Sequence, residues 1–279
     1  MSIIVNTNMS SLVSQRHLSS VSGNLTKHMN RLSSGLRINT AADDAAGTSL
    51  SEKLTTQVNA SDIAKRNIQT GMNLIQTAEA DLTVMQENLQ RMRDLAVQSA
   101  NGVYSTAERQ TLDAEFKDRA REINRIASSS SFSDIKLLDG QTPVDITLQI
   151  GTNNTADDQL NISSMFKSFK AGESDMPLTT ATITTATTAR EQITAMDLAI
   201  NSISSARAEM GATLNRLEGS ITRVDTRKET MTDARSKIKD ADIAQESASM
   251  TRYQILQQTA AKMLTQANQA PTLALTLLG

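Results

Sequence analysis

Proline stands at only three positions of this chain, Pro143, Pro177 and Pro271. Proline removes a backbone donor and clashes with the preceding helical turn. Its absence leaves residues 1–130 and 188–270 free to run as long helices. The segment between them, about 130–187, is different: it holds Pro143, Pro177, a threonine-rich run and three of the four phenylalanines. Within it "VDITLQI" (144–150) places Val144, Ile146, Leu148 and Ile150 on alternate positions, the period of a strand. "DQLNISSM" (158–165) alternates more weakly, and "GTNNTADD" (151–158) reads as the loop of a hairpin between them. The order is helices, a small β insert, then helices again.

Both helical arms carry narrow apolar seams. In the second, Ile200, Ile203, Met210, Leu214, Leu217, Ile221, Val224, Met231 and Ile238 fall on alternating three- and four-residue steps. That spacing of 3.5 residues on average is the seam of a coiled coil. The same register passes through Arg207, Lys228 and Arg235, where the seam reaches solvent or meets acidic partners. The first arm offers a matching stripe in Leu74, Ala78, Leu82, Met85, Leu89, Met92 and Ala96. Only 2% of the residues are aromatic and 38% hydrophobic, which suits long paired helices better than one thick core. Each arm spans roughly 50–75 Å at 1.5 Å per residue, and pairing with the other is the simplest way to cover both stripes.

A second amphipathic pair lies at the chain ends. Val5, Met9, Leu12, Leu18, Val21, Leu25 and Leu32 form one seam; Met250, Leu256, Ala260, Met263 and Ala267 form the other. The predicted fold is therefore mainly α: an elongated rod of long antiparallel coiled-coil helices with a small β-hairpin insert and paired N- and C-terminal helices. It divides into a terminal coiled coil (1–42 and 240–279) and a helical rod (43–239). Asn101-Gly102 reads as a helix stop in which glycine takes the left-handed conformation. Ser105 with Glu108, and Thr188 with Glu191, read as capping boxes.

Between the terminal helix and the rod lies "LSSGLRINTAADDAAGTSL" (32–50). Its adjacent carboxylates, Asp43 and Asp44, point about 100° apart on a helix and do not converge on one substrate atom. After Asn39 and Thr40 they read as a helix start favoured by the helix dipole. Gly35 turns the chain out of the first helix, and Gly35, Arg37, Asp43 and Asp44 make up a connector.

Little else suggests chemistry. His17 and His28, the only histidines, are three helical turns apart, too far to share a metal ion, and there is no cysteine to assist. They read as surface residues. Nucleophile-elbow, zinc-protease and phosphate-loop motifs are missing, so neither an enzyme nor a cofactor is implied. A net charge of −2 argues against nucleic acid as a partner. No apolar run approaches the roughly 20 residues that span a bilayer, so no membrane partner is implied either. The N-terminus, MSIIVNTNMSS, lacks the basic segment and apolar core of a cleavable secretory signal. What remains is assembly, with apolar seams at both ends to be covered by neighbouring copies.

Several stretches resemble bacterial flagellin, the filament subunit: "LSSGLRINTAADDAAGTSLSEKL", "QRMRDLAVQSANG" (90–102), "AEFKDRAREINRIASSSSF" (114–132) and "ARSKIKDADIAQESASMTRYQILQQTAAKMLTQANQAP" (234–271). The resemblance implies a terminal coiled coil lining a filament core and a rod outside it. Only about 55–60 residues separate the helical arms, implying a short form without the outer variable domains and with no room for the metallopeptidase insert of some relatives. It implies an extracellular, homopolymeric filament used for motility, exported unfolded and assembled at the tip. The implied partners are further copies of the chain, an export chaperone on the C-terminal helix, filament cap and hook-junction proteins, and an innate receptor of vertebrates, Toll-like receptor 5.

By the same resemblance Arg91, Leu95 and Glu115 match the receptor-recognition and subunit-packing positions, with Asp94 and Met92 departing mildly from the familiar Glu and Val. Leu12, Leu18, Leu25, Leu256 and Met263 form the terminal assembly seam, expected to be partly disordered until covered. The threonines at 179–188 read as a polar linker, with O-glycosylation the alternative. A hook–filament junction protein of the same superfamily is the competing functional reading.

Overall fold

The structure is a computed structural model describing residues 7–140, 146–170, 172, 176 and 182–278, the last nine as backbone only. Five helices account for most of it: α1 (Met9–Ser34), α2 (Ala45–Ala100), α3 (Thr106–Ser129), α4 (Ala186–Lys239) and α5 (Ile243–Leu278). Two short antiparallel pairs lie between α3 and α4: β1 (Ser131–Phe132) with β2 (Ile135–Lys136), and β3 (Thr147–Gln149) with β4 (Gln159–Asn161). The chain divides into two compact units, one of residues 1–58 and 229–279, the other of residues 59–228.

In the second unit, α2, α3, α4 and the β insert share one apolar core. The stripe expected on α2 is buried throughout, from Leu74 to Ala96. On α4 the large residues of the expected seam divide. Ile203, Met210, Leu217 and Val224, seven residues apart, are buried, but Ile200, Leu214 and Ile221 are only partly covered. The second buried row is made of Ala199, Ala206 and Thr213, one residue earlier. Small side chains let neighbouring backbone approach, and the larger apolar residues flank the contact instead. Ion pairs rivet α2 to α4: Lys228 to Asp62 at 2.6 Å, Lys65 to Asp225 at 2.7 Å and Arg93 to Asp197 at 2.7 Å. Partner numbers rise on one helix as they fall on the other, so the two run antiparallel. Arg207 likewise donates to Gln86 at 2.7 Å, so two of the basic residues in the seam register meet polar partners across the pair.

Local signals set the helix ends, with corrections to the expected ones. The Ser105–Glu108 capping box is present. The second box is Thr185 with Thr188, and α4 starts at Ala186, earlier than a Thr188–Glu191 box would place it: Thr188 N–H donates to Thr185 Oγ1 and Thr185 N–H to Thr188 Oγ1, each at 3.2 Å. Thr182 also has a structural task, donating to Asp113 at 2.9 Å, whereas Thr179 and Thr180 lie outside the described residues.

Gly102 does not adopt a left-handed conformation. Arg109 ends α2 instead. Arg109 is 8% exposed, and its guanidinium donates to the carbonyls of Ser99, Asn101 (2.9 Å) and Tyr104 (3.2 Å), taking up groups a helix end leaves unpaired.

The β insert is smaller than its alternation suggests. β3 and β4 pair Leu148 with Leu160, and residues 151–158 form the connecting loop with a short 3-10 turn, while Val144 lies outside the described residues. Gly71 on α2 admits Leu148, whose methyl groups occupy the space a Cβ would take. The β1–β2 pair had no glycine to signal it. Its turn residues, Ser133 (φ 49°) and Asp134 (φ 68°), both take the left-handed conformation that a two-residue hairpin of this kind requires.

Candidate assembly and recognition surfaces

The first unit pairs α1 with α5. α1 begins at Asn8, whose side chain accepts from Ser11 N–H at 3.0 Å, and ends at Gly35 in the left-handed conformation expected of it (φ 71°). α5 begins at Asp242, which accepts from Ala244 and Gln245 N–H.

The connector after α1 does not stand alone. Arg37 N–H donates to Lys239 O at 2.8 Å, Arg37 Nη2 to Ile238 O at 2.6 Å and Ala241 N–H to Gly35 O at 2.9 Å. Residues 35–38 are thus stitched to the link between α4 and α5.

Asp43 and Asp44 do different jobs at the start of α2, where the sequence places them, but they stand just before its first residue, Ala45, and not in its first turn. Asp44 is the cap of α2, accepting from Gly47 N–H at 2.9 Å. Asp43 accepts from Asn39 N–H, Thr40 N–H and Thr40 Oγ1, with Lys27 at 3.1 Å. The Lys27 hydrogen bond first, and the Thr40 amide second, hold its carboxyl down at about 2.

Of the five terminal seam residues, Leu25 is buried and Leu18 half-buried. Leu12, Leu256 and Met263 are 48%, 42% and 59% exposed. From Tyr253 onward, the half-buried positions described on α5 are Tyr253, Gln257, Ala260, Leu264 and Ala267, so Leu256 and Met263 stand beside that stripe, not in it. Leu256 and Met263 line a groove of about 330 Å³ with Ser14, His17 and Val21; Met9 and Leu12 form a second apolar patch with Arg16. His17 is exposed, but His28 is not the surface residue expected. Its Nδ1–H donates to the buried Glu246 at 2.5 Å and its ring stacks on Tyr253. A partner 218 residues away could not be read from local sequence.

In the second unit Arg91 and Glu115 form a bidentate pair across α2 and α3, at 2.9 and 3.1 Å, with Arg119 at 3.8 Å. The Arg91 hydrogen bond holds the Glu115 carboxyl below its ordinary range, and Glu115 in turn raises Arg91. Both side chains remain substantially exposed. Leu95 has no exposed surface and belongs to the core beneath them. Among the described residues no group of three or more His, Cys, Asp or Glu is placed to hold a metal ion, and no helix is long and apolar enough to cross a membrane.

Comparison with known proteins places this architecture. Residues 5–142 match the model of the bacterial flagellin N-terminal helical region, and residues 193–278 that of the C-terminal helical region. The chain belongs to the bacterial flagellin family. It is 39% identical to the flagellin of Halalkalibacterium halodurans over 276 residues, covering 99% of this chain and all of that one. It is 38% identical to the flagellin of Bacillus subtilis, with 98% and 99% of the two chains covered. Among solved structures, Bacillus cereus flagellin superimposes with a TM-score of 0.50 at 31% identity, over 57% of this chain and 88% of that one.

The protein is a structural subunit of the extracellular flagellar filament, in a short form, and the junction-protein reading is not favoured.

Proposed function

We propose that this flagellin polymerises through its α1–α5 pair, with Leu12, Leu18, Leu25, Leu256 and Met263 as the assembly seam. The observation that carries this is the large exposed apolar side chains on the pair: Met9, Leu12, Leu256 and Met263 are each 42–59% exposed. Covering them in neighbouring copies stabilises each by about 1–2 kcal/mol, in keeping with partial burial of a large apolar side chain. The chain is exported unfolded and added at the filament tip, where covering this surface offsets the entropy of ordering the two helices. Before that, an export chaperone covers the C-terminal helix; cap and hook-junction proteins meet the same ends. The functional division follows the connectors, with 1–42 and 240–279 as the filament-core coiled coil and 43–239 as the rod. Gly35, Arg37, Asp43 and Asp44 set the link between them.

On the rod, Arg91 and Glu115 form the face read by Toll-like receptor 5 and packed against by neighbouring subunits. Leu95 acts from below by fixing the shape of that face. The subunit carries out its role without catalysis. Replacing Leu12 and Met263 together by serine tests the assembly role: seeded filament growth is expected to stop while helical content stays within that of the parent. Unimpaired growth of the double variant would remove these residues from the seam.

A further inference from the structure

The α1–α5 pair has an alignment problem that its apolar residues do not solve. Leu25 is the one buried residue described on α1. Leu18, Leu25 and Leu32 recur every seven residues, and on the facing helix Tyr253, Ala260 and Ala267 keep the same interval. Sliding one helix by seven residues, about 10 Å, brings leucine positions back into register. Small and repeating contacts of this kind separate the two alignments weakly, and a polar group at one seam position is the usual way a helix pair fixes its register.

Glu246 is such a group. It is 7% exposed, and its carboxylate accepts from His28 Nδ1–H at 2.5 Å and Arg31 Nη1–H at 3.3 Å. At the far end of the pair Asn8 Nδ2 donates to Ala267 O at 2.8 Å, and Ser11 Oγ to Asn268 Oδ1 at 2.6 Å. We propose that Glu246, clasped by His28 and Arg31, sets the register along the helices of the terminal pair, in addition to the bonds that join residues 35–38 to 238–241 at their end. A slide of one heptad carries both partners about 10 Å away and leaves a buried carboxylate without its counter-charge, a strongly unfavourable state. The dipole of α5 favours a carboxylate in its first turn in any alignment, and so does not choose between them. The inference rests on the helix pair itself, not on what the pair does in a filament.

The chain has no cysteine, so introduced thiols report alignment directly. Ser11→Cys with Asn268→Cys captures the observed register; Ser11→Cys with Ala261→Cys captures the pair slid by seven residues, in which Glu246 faces Val21 and Asn24. Each full-length variant is equilibrated in a glutathione redox buffer. Its disulfide yield is divided by the yield in urea, which removes the effect of loop length. The ratio of the two corrected yields does not depend on how much of the time the helices are paired. The expected result is a strong preference for the first bond, falling at least about tenfold when Glu246→Gln is added. An unchanged ratio overturns the proposal. Equal loss of both bonds overturns it too, since Glu246 would then supply affinity and not alignment.

Discussion

Arg109→Gln tests whether one buried guanidinium closes the corner between α2 and α3. In the parent, Arg109 donates to three carbonyls, those of Ser99, Asn101 and Tyr104. Ser99 is wholly buried, whereas Asn101 is exposed and Tyr104 half-exposed. After substitution the Asn101 and Tyr104 carbonyls turn to water, and their loss is a modest exchange of partners. The Ser99 carbonyl has no such recourse, and a buried group left unsatisfied costs about 1–3 kcal/mol. Lost packing of the aliphatic stem adds to this. The expected sum is about 3 kcal/mol, which for a unit of this size lowers the midpoint of thermal unfolding by about 6–12 °C. Circular dichroism melts of full-length parent and variant measure it, with Arg109→Lys as an intermediate that keeps the charge but cannot reach all three carbonyls. A variant within about 0.5 kcal/mol of the parent, the range of an ordinary surface change, would refute the reasoning.

Asp43 gives a pH-dependent signature. Its pKa is depressed in the fold to about 2 from an ordinary 3.8, so its contribution is present above the higher value and lost as pH falls through the lower. Protection of the Asn39 and Thr40 amides, corrected for intrinsic exchange, should fall between those limits, and Asp43→Asn should abolish that dependence. Gly71→Val places atoms where the Leu148 methyl groups sit; the cost of overpacking is expected at about 1–3 kcal/mol, read by urea unfolding and by loss of the β3–β4 amide protection. Arg91→Glu breaks the bidentate pair and sets two carboxylates together; a receptor reporter assay should show loss of recognition, with melting changed little because the pair is exposed.

The parts of this fold that depend on near neighbours in the chain were legible from residues alone. The α2 stripe from Leu74 to Ala96, the Ser105 capping box and the turn at Gly35 follow from helical period and backbone preference. Contacts across long separations were not. Looking for large apolar residues on α4 drew attention to Ile200, Leu214 and Ile221, while close packing selected Ala199, Ala206 and Thr213. Glu246 carries a charge that its residue type assigns to the surface, and only its distant partners explain its burial; the carbonyls that bury Arg109 lie five to ten residues away, but across the corner between α2 and α3. Leu256 and Met263 were legible as apolar positions of a terminal helix. Which of them face α1 depends on a phase of the helix that three- and four-residue spacing does not fix.

The most direct test of the account is electron microscopy of the depolymerised, purified chain after addition of short filament seeds. Long filaments that grow only in seeded samples are the expected result, because each added copy covers the exposed α1–α5 surface of the last. Chains that attach to a seed end and stop would contradict the account, and would identify a protein that terminates or joins filaments instead of building them.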